Sequence, residues 1–172
     1  KLLSDITAFR TYAKFLPNFG RREALEETIN RCMTMHLDKF PKLSKEIIRA
    51  FSYVHELKIL PSMRSMQFAG DAIIKNNLRQ YNCSYEPIDS VDSFTEALFI
   101  LLCGAGLGFS VQYRHINKLP KVQLPRQEGI FVVQDSIAGW SDAVDALMKA
   151  YFYNRVRPVY DFSNVSPKGT YL

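Results

Sequence analysis

Strand-like and helical segments alternate through the second half of the chain, and this order constrains the fold more than any other feature. Four short runs rich in aromatic and β-branched residues predict strands over 80–88, 108–114, 129–134 and 157–162. Helical patterns separate the first two runs and the last two, over 89–106 and 135–154. Strand–helix–strand order favours parallel strands joined by helical crossovers, so the sequence predicts an α/β fold.

Two amphipathic helices are predicted ahead of these units, over residues 20–36 and 41–60. Ser44 is the predicted N-cap of the second helix, and Pro61 is predicted to end it. Asp135 or Ser136 is predicted to cap the last helix of the chain.

The domain division follows from this pattern. We expect residues 1–60 to form a helical cap and residues 61–172 to form the first part of an α/β unit. A length of 172 residues, with 47% hydrophobic and 23% charged residues, suits one globular domain with a sizeable core. Because the last predicted strand would leave an open sheet edge, we expect this chain to be part of something larger.

The sequence shows no signal for export or membrane insertion. No apolar stretch reaches the ~20 residues that span a bilayer, and the N-terminus lacks a secretion signal. Three cysteines without paired spacing favour a reducing compartment. We therefore expect a cytoplasmic protein with no membrane partner.

The net charge of +5 points only mildly to anionic partners. A nucleic-acid binder would be expected to show a dense basic stripe with interleaved aromatic residues, whereas the basic residues here are spread along the chain. We therefore predict no nucleic-acid partner and interpret most of these charges as solvated helix faces. Residues 112–121 are the exception.

Two of the three cysteines have an apolar helical context. Cys32 and Cys103 are predicted to be buried structural thiols for that reason. No cysteine or histidine spacing suits a metal ion, so no metal site is predicted.

Cys83 has a different context, because it lies between Asn82 and Ser84 in a strand-like run. Strand alternation would place Cys83 on one face with Tyr81 and Tyr85. From the residues alone, a buried thiol and a working thiol both remain possible at this position.

A glycine run follows, with Gly104, Gly106 and Gly108 two residues apart. It matches neither a P-loop nor the dinucleotide fingerprint, which opens a helix instead of closing one. The simplest interpretation is a helix C-cap leading into a strand.

Seven ordered blocks resemble the adenosylcobalamin-dependent (class II) ribonucleotide reductases. They are YAKFLPNFGRREALEETINR, LPSMRSMQFAG, YNCSY, CGAGLGFSV, NKLPKV, DSIAGW and YDFSNVSPKGTYL. The sequence is most similar to the monomeric ribonucleoside-triphosphate reductases and their phage relatives, from about Phe9 to Leu172. This resemblance implies an N-terminal helical cap followed by the first part of a ten-stranded α/β barrel.

The resemblance also implies a reaction, the reduction of ribonucleotides, expected as triphosphates, to 2′-deoxyribonucleotides by thiyl-radical chemistry. Cys83 is similar to one of the two reducing cysteines, which protonate the leaving 2′-hydroxyl and end as a disulfide. Asn82 and Ser62 are similar to residues beside the bound substrate.

A deoxynucleotide effector is implied as well. Asp89 and Ser90 match the start of the helix that contacts the effector sugar, and Arg114, Lys118 and Lys121 fall on a loop where cations would meet its phosphates. Asp89 could equally serve as a helix N-cap, and that alternative stays open here.

The remaining parts of such an enzyme are expected beyond Leu172. These are the radical cysteine, the second reducing cysteine, the C-terminal shuttle cysteines and most contacts to adenosylcobalamin. The implied partners are the complementary C-terminal part and a thioredoxin-like or dithiol reductant, in the host cytoplasm if the protein is phage-encoded. Ser166 stands where relatives carry an arginine, which would weaken a local ion pair. The alternative function is a non-catalytic nucleotide-binding or assembly module derived from such a reductase.

Overall fold

The computed structural model describes residues 2–170, and the chain forms two compact units that meet in sequence between Tyr81 and Asn82. Lys1 and the last two residues of the final resemblance block, Tyr171 and Leu172, lie outside the described residues. The predicted division at residue 60, between a helical cap and an α/β part, stays a prediction.

The first unit is mainly helical. Its helices are α1 (Leu2–Thr11), α2 (Leu25–Lys39), α3 (Ser44–His55), α4 (Met63–Phe68) and α5 (Asp71–Lys75), with 3₁₀ turns at Pro17–Phe19, Pro41–Leu43 and Asn77–Gln80. Two short antiparallel strands, β1 (Phe15–Leu16) and β2 (Arg21–Arg22), pair ahead of α2. Apolar side chains from α2 to α5 form the core of this unit: Ile29, Cys32, Met35, Phe51, Val54, Met66, Ala69 and Ile73.

Both helices predicted in this unit exist, but their ends differ from the prediction. The chain turns at Gly20, whose φ of +59° is left-handed, so α2 begins at Leu25 and not at residue 20. Ser44 is the first residue of α3 and makes no side-chain cap, so its predicted N-cap role is wrong. Helix α3 ends at His55, before Leu57 at φ +56°, so Pro61 does not end it.

The second unit contains two strand–helix–strand repeats. Strand β3 (Cys83–Pro87) leads through α6 (Asp92–Leu102) to β4 (Gly106–Ser110), and β3 and β4 pair in parallel. After the short helix α7 (Tyr113–Ile116), β5 (Glu128–Val132) leads through α8 (Ile137–Tyr153) to β6 (Arg157–Asp161), again a parallel pair. The predicted α/β fold with parallel strands is confirmed, while closure into a barrel stays a prediction.

Helix packing holds these repeats together. Helices α6 and α8 pack on each other, with the rings of Phe94 and Phe152 stacked at 5.9 Å between centroids. The Tyr160 hydroxyl of β6 donates to the Ala143 carbonyl of α8 at 2.6 Å. The Ser136 hydroxyl accepts the Gly139 N–H at 3.0 Å, which confirms Ser136 as the cap of α8.

The turn into α8 depends on a glycine for space. A Cβ at Gly139 would lie 2.4 Å from the Gln134 carbonyl oxygen, closer than real Cβ contacts occur. Gly139 therefore lets the loop after β5 lie directly against the first turn of α8.

No helix among residues 2–170 is both long enough and apolar enough to cross a membrane.

Candidate functional site

The Cys83 thiol lies where the β3–β4 pair begins. Cys83 is exposed, and its register partner on β4 is Gly106. The Gly106 N–H donates to the Asn82 carbonyl at 2.8 Å, which aligns the two strands at this end. A Cβ at Gly106 would lie 3.8 Å from the Cys83 sulfur, so the absence of a side chain leaves the space beside the thiol open.

Tyr85 lies on the same face of β3, two residues along the strand. Its side chain is 63% exposed, and its register partner is Gly108. Ser84 and Glu86 are half-buried, as expected for the opposite face, which packs against α6. The predicted alternation of β3 is thus confirmed, and Cys83 lies on the accessible side.

The other two cysteines are inaccessible, which confirms their predicted burial. Cys32 is fully buried in the core of the first unit, with its sulfur 3.4 Å from the Ser65 carbonyl oxygen. Burial raises the pKa of the Cys32 thiol, which keeps it protonated. Cys103 is 5% exposed at the end of α6. Cys83 is therefore the exposed thiol of the described chain.

The other end of β3 brings together two residues assigned to the effector site. The Lys118 ammonium donates to Asp89 Oδ2 at 2.8 Å, across 29 positions of sequence. This hydrogen bond is the largest influence on Asp89 and holds its pKa below the usual range. The side chains are 31% exposed at Asp89 and 60% at Lys118, so a ligand could reach both.

The Ser90 hydroxyl, and not the Asp89 carboxylate, accepts a backbone N–H from the first turn of α6. The Ser90 hydroxyl accepts the Ser93 N–H at 3.2 Å and lies 3.1 Å from the Ser93 hydroxyl. The Ser93 hydroxyl in turn reaches the Pro87 carbonyl at 3.2 Å, which ties the first turn of α6 to the end of β3. The Asp89 carboxylate is thus left for Lys118.

The remaining predicted effector residues follow β4. Arg114 lies in α7 and Lys121 in the loop after it, and both are exposed. The His115 Nδ1 atom lies 2.9 Å from the Ser110 hydroxyl, which fixes α7 to the end of β4. Arg114 and Lys121 stay predicted effector ligands, on a segment that His115 ties to β4 and Lys118 ties to Asp89.

The two predicted substrate residues have local structural roles. The Ser62 hydroxyl caps α4 by accepting the Ser65 N–H at 3.1 Å. Asn82 directly precedes Cys83, and its carbonyl accepts the β4 hydrogen bond described above. Ser62 belongs to the first compact unit and Asn82 to the second, and their contacts with a substrate stay predictions.

An acidic pair between β3 and α6 was missed from the sequence. Burial first, and then the hydrogen bond and charge of Glu96, raise the pKa of Glu86 to about 7. The Glu86 Oε2 atom is buried and has no hydrogen-bond partner among the described residues. Near neutral pH this pair therefore keeps a proton for a substantial part of the time, whereas ordinary carboxylates would have released it. Strand alternation, which places Glu86 on the α6 side, was the sequence signal that could have indicated it.

The loop after β5 is tied to the segment after β6. The Ser166 N–H donates to Asp135 Oδ2 at 3.0 Å, and hydrogen bonding from Ser166 lowers the pKa of Asp135. The predicted weakening of a local ion pair at Ser166 stays a prediction. Among residues 2–170, no group of three or more histidine, cysteine or carboxylate side chains could hold a metal ion.

Comparisons with known proteins agree on one kind of enzyme. The chain is 30% identical to the adenosylcobalamin-dependent ribonucleoside-triphosphate reductase of Lactobacillus helveticus, over 86% of this chain and 24% of that protein. It is 23% identical to the Euglena gracilis protein of the same name, over 99% of this chain and 26% of the relative. A probable enzyme of this name from Dictyostelium discoideum is 25% identical, over 74% of this chain and 20% of that protein.

A solved structure supports the fold. The crystal structure of a B12-dependent (class II) ribonucleotide reductase superposes with a TM-score of 0.81 at 20% identity, over 97% of this chain and 33% of that one. No family model matches the chain. The chain spans about a quarter of the length of the curated relatives it matches. Over most of its own length, this chain is homologous to part of the adenosylcobalamin-dependent ribonucleotide reductases.

Proposed function

We propose that this chain is the N-terminal part of a ribonucleotide reductase that reduces ribonucleotides to 2′-deoxyribonucleotides, with Cys83 as one of its two reducing cysteines. The observation that carries the proposal is the accessibility of one thiol. Cys83 is exposed beside a glycine on an open strand face, whereas Cys32 and Cys103 are buried. A thiol that must meet both a substrate and a partner thiol needs such a position.

Two thiols supply the two electrons and the proton that the reducing step requires. One thiol gives a proton to the departing 2′-hydroxyl, which leaves as water, and the two sulfurs then form a disulfide as two electrons pass to the sugar. The products are a deoxyribonucleotide, water and an oxidised cysteine pair. An external dithiol or a thioredoxin-like protein returns the pair to the reduced state by thiol–disulfide exchange. The partner cysteine is expected in the complementary C-terminal part.

The named relatives are adenosylcobalamin-dependent enzymes. The face beside Cys83 presents a thiol, a phenol ring and two glycines, which are not a typical corrin site. We therefore assign most of the cofactor's contacts to the complementary part. The role of this chain is to present the Cys83 thiol and to hold its strand in register.

The second element of the proposal is effector binding at the Asp89–Lys118 end of β3. An exposed ammonium already held at 2.8 Å by a carboxylate marks a point where an anionic ligand could compete for the cation. Arg114 and Lys121 would add charge to the same loop. The Asp89 carboxylate and the Ser90 hydroxyl offer acceptors for a deoxyribose hydroxyl.

The test is Cys83→Ser in the complete reductase, meaning this chain together with the complementary part, joined or added separately. We expect loss of multiple turnover with adenosylcobalamin and a dithiol, because one reducing sulfur is gone. The matched control is Cys103→Ala, which removes a buried thiol and should keep turnover. Normal deoxynucleotide formation by Cys83→Ser would sink the assignment and favour a non-catalytic nucleotide-binding module.

A further inference from the structure

The face of β3 that carries Cys83 presents a second chemically useful side chain. Tyr85 lies two residues beyond Cys83, so their Cα atoms are about 6.6 Å apart along an extended strand. The Tyr85 side chain is 63% exposed. Ring and thiol therefore face the same space.

Two glycines form the floor of that space. In the parallel register, Gly106 lies opposite Cys83 and Gly108 opposite Tyr85. A Cβ at Gly108 would lie 3.8 Å from Cδ2 of the Tyr85 ring, so this ring leans over the Gly108 backbone. Any side chain at position 106 or 108 would occupy the space next to the thiol or the ring. The result is a shallow surface with a thiol at one end and an aromatic wall at the other.

A surface of this kind suits a flat, partly apolar ligand whose reacting atom lies at the thiol. A nucleoside meets this description, since bases stack on aromatic rings whatever their identity. A ring two residues along the strand could contact the part of the nucleoside that extends away from the reacting sugar carbon. The phenol hydroxyl is not needed for that contact.

We propose that Tyr85 is a substrate-positioning residue whose ring packs against the ribonucleoside bound at Cys83. This inference rests on the proposed function, because it takes the substrate to lie at the Cys83 thiol. Tyr85 sets where the sugar lies relative to the sulfur and takes no part in electron or proton transfer. Its removal weakens substrate binding more than it slows the chemical step.

The test uses three variants of the complete reductase. Tyr85→Ala should raise KM for the ribonucleotide by about ten-fold or more, with kcat changed less, because stacking on one ring is lost. Tyr85→Phe keeps the ring and should behave like the parent enzyme. Tyr153→Ala removes a half-exposed tyrosine at the end of α8 and controls for loss of an exposed ring.

A second readout separates this inference from the function on which it rests. Alkylation of Cys83 by iodoacetamide, followed by mass spectrometry, should be slowed by ribonucleotide in the parent protein and in Tyr85→Phe. In Tyr85→Ala that protection should need about ten-fold more ribonucleotide. Absence of protection in the parent protein would refute the placement of substrate at Cys83. Equal protection in Tyr85→Ala and in the parent would overturn the role of the ring. So would an equal rise in KM in Tyr85→Phe and Tyr85→Ala.

Discussion

The two units of the chain use buried or half-buried carboxylates in opposite ways. In the first unit Glu23 is 4% exposed, and its carboxylate accepts hydrogen bonds from Arg31 Nε and Nη2, the Lys14 N–H and the Thr28 hydroxyl. In the second unit Glu86 faces another acid, Glu96, and has one buried oxygen without a partner among the described residues.

The pKa directions follow these surroundings. Burial acts to raise the pKa of Glu23, but hydrogen bonds from Arg31 and the Lys14 backbone outweigh it and hold the pKa below its usual value. Around Glu86, burial and the neighbouring acid act in the same direction and raise the pKa. The Glu23 carboxylate is held by hydrogen bonds within the first unit. The Glu86 carboxylate has a buried oxygen without such a partner among the described residues, so it can take up a proton near neutral pH.

The largest expected effect comes from breaking the Glu23 network. Arg31 also donates to the carbonyls of Tyr12, Met66 and Ala69, so it joins segments far apart in the first unit. Removing one partner of a buried ion pair costs about 3–5 kcal/mol. We therefore expect Arg31→Met to lower the free energy of unfolding by about that amount, measured by urea denaturation.

Two controls sharpen this prediction. Arg21→Met breaks a pair with Glu27 in which both side chains are at least 40% exposed, and it should change stability little. The double variant Glu23→Met/Arg31→Met should recover part of the loss, because no unpaired buried charge remains. If Arg31→Met and Arg21→Met were equally mild, the network would not hold the unit as we argue.

The features that depend on a local sequence pattern could be predicted. Apolar periodicity gave the four main helices, and strand alternation gave the two faces of β3, with Cys83 and Tyr85 on one of them. Which of the two faces is exposed was not predicted. Helix ends were less predictable, because they depended on backbone turns at Gly20 and Leu57, which propensity does not reveal.

Polar contacts between residues far apart in the chain could not be predicted from the sequence. Arg31 looks like one more charged residue on a helix surface, since the carbonyls that it contacts come from segments 19 to 38 residues away. The Glu86–Glu96 pair likewise depends on the angle at which α6 crosses β3. The position of Lys118 beside Asp89 agrees with the resemblance, but no local pattern would have paired residues 29 apart.

A middle-sized effect is expected in the segment after β4, where we propose that the effector binds. Arg114→Ala in the complete reductase should weaken deoxynucleotide effector binding about ten- to hundred-fold, since a charge-assisted phosphate contact is lost. The effector's control over which base is reduced should weaken, while the rate of reduction without effector changes less. Equilibrium dialysis with the deoxynucleotide measures the affinity. Lys45→Ala, which removes an exposed cation from α3, is the control. Unchanged effector affinity in Arg114→Ala would rule out this placement.

The smallest effect, and the one most dependent on pH, is expected at Glu86. Its folded-state pKa of about 7 lies above the ordinary value of 4.5, so the folded state holds a proton that the unfolded chain has released between these pH values. Stability is therefore fully present below about pH 4.5 and falls as pH rises towards 7. The groups that face Glu86 are Glu96 and Ser93 of α6 and Asp89 after β3, and none of them is a cation.

Glu86→Gln mimics the protonated acid at every pH and should remove this slope. We expect the variant to match the parent near pH 4.5 and to exceed its stability at pH 8 by about 1–2 kcal/mol, less than the full shift implies because solvent reaches part of the pair. Urea denaturation across this pH range measures it, with the exposed Glu46→Gln as control. If Glu86→Gln kept the parent's dependence of stability on pH, Glu86 would not be the group that holds the extra proton. Glu23 and Glu86 would then differ only in how deeply they are buried.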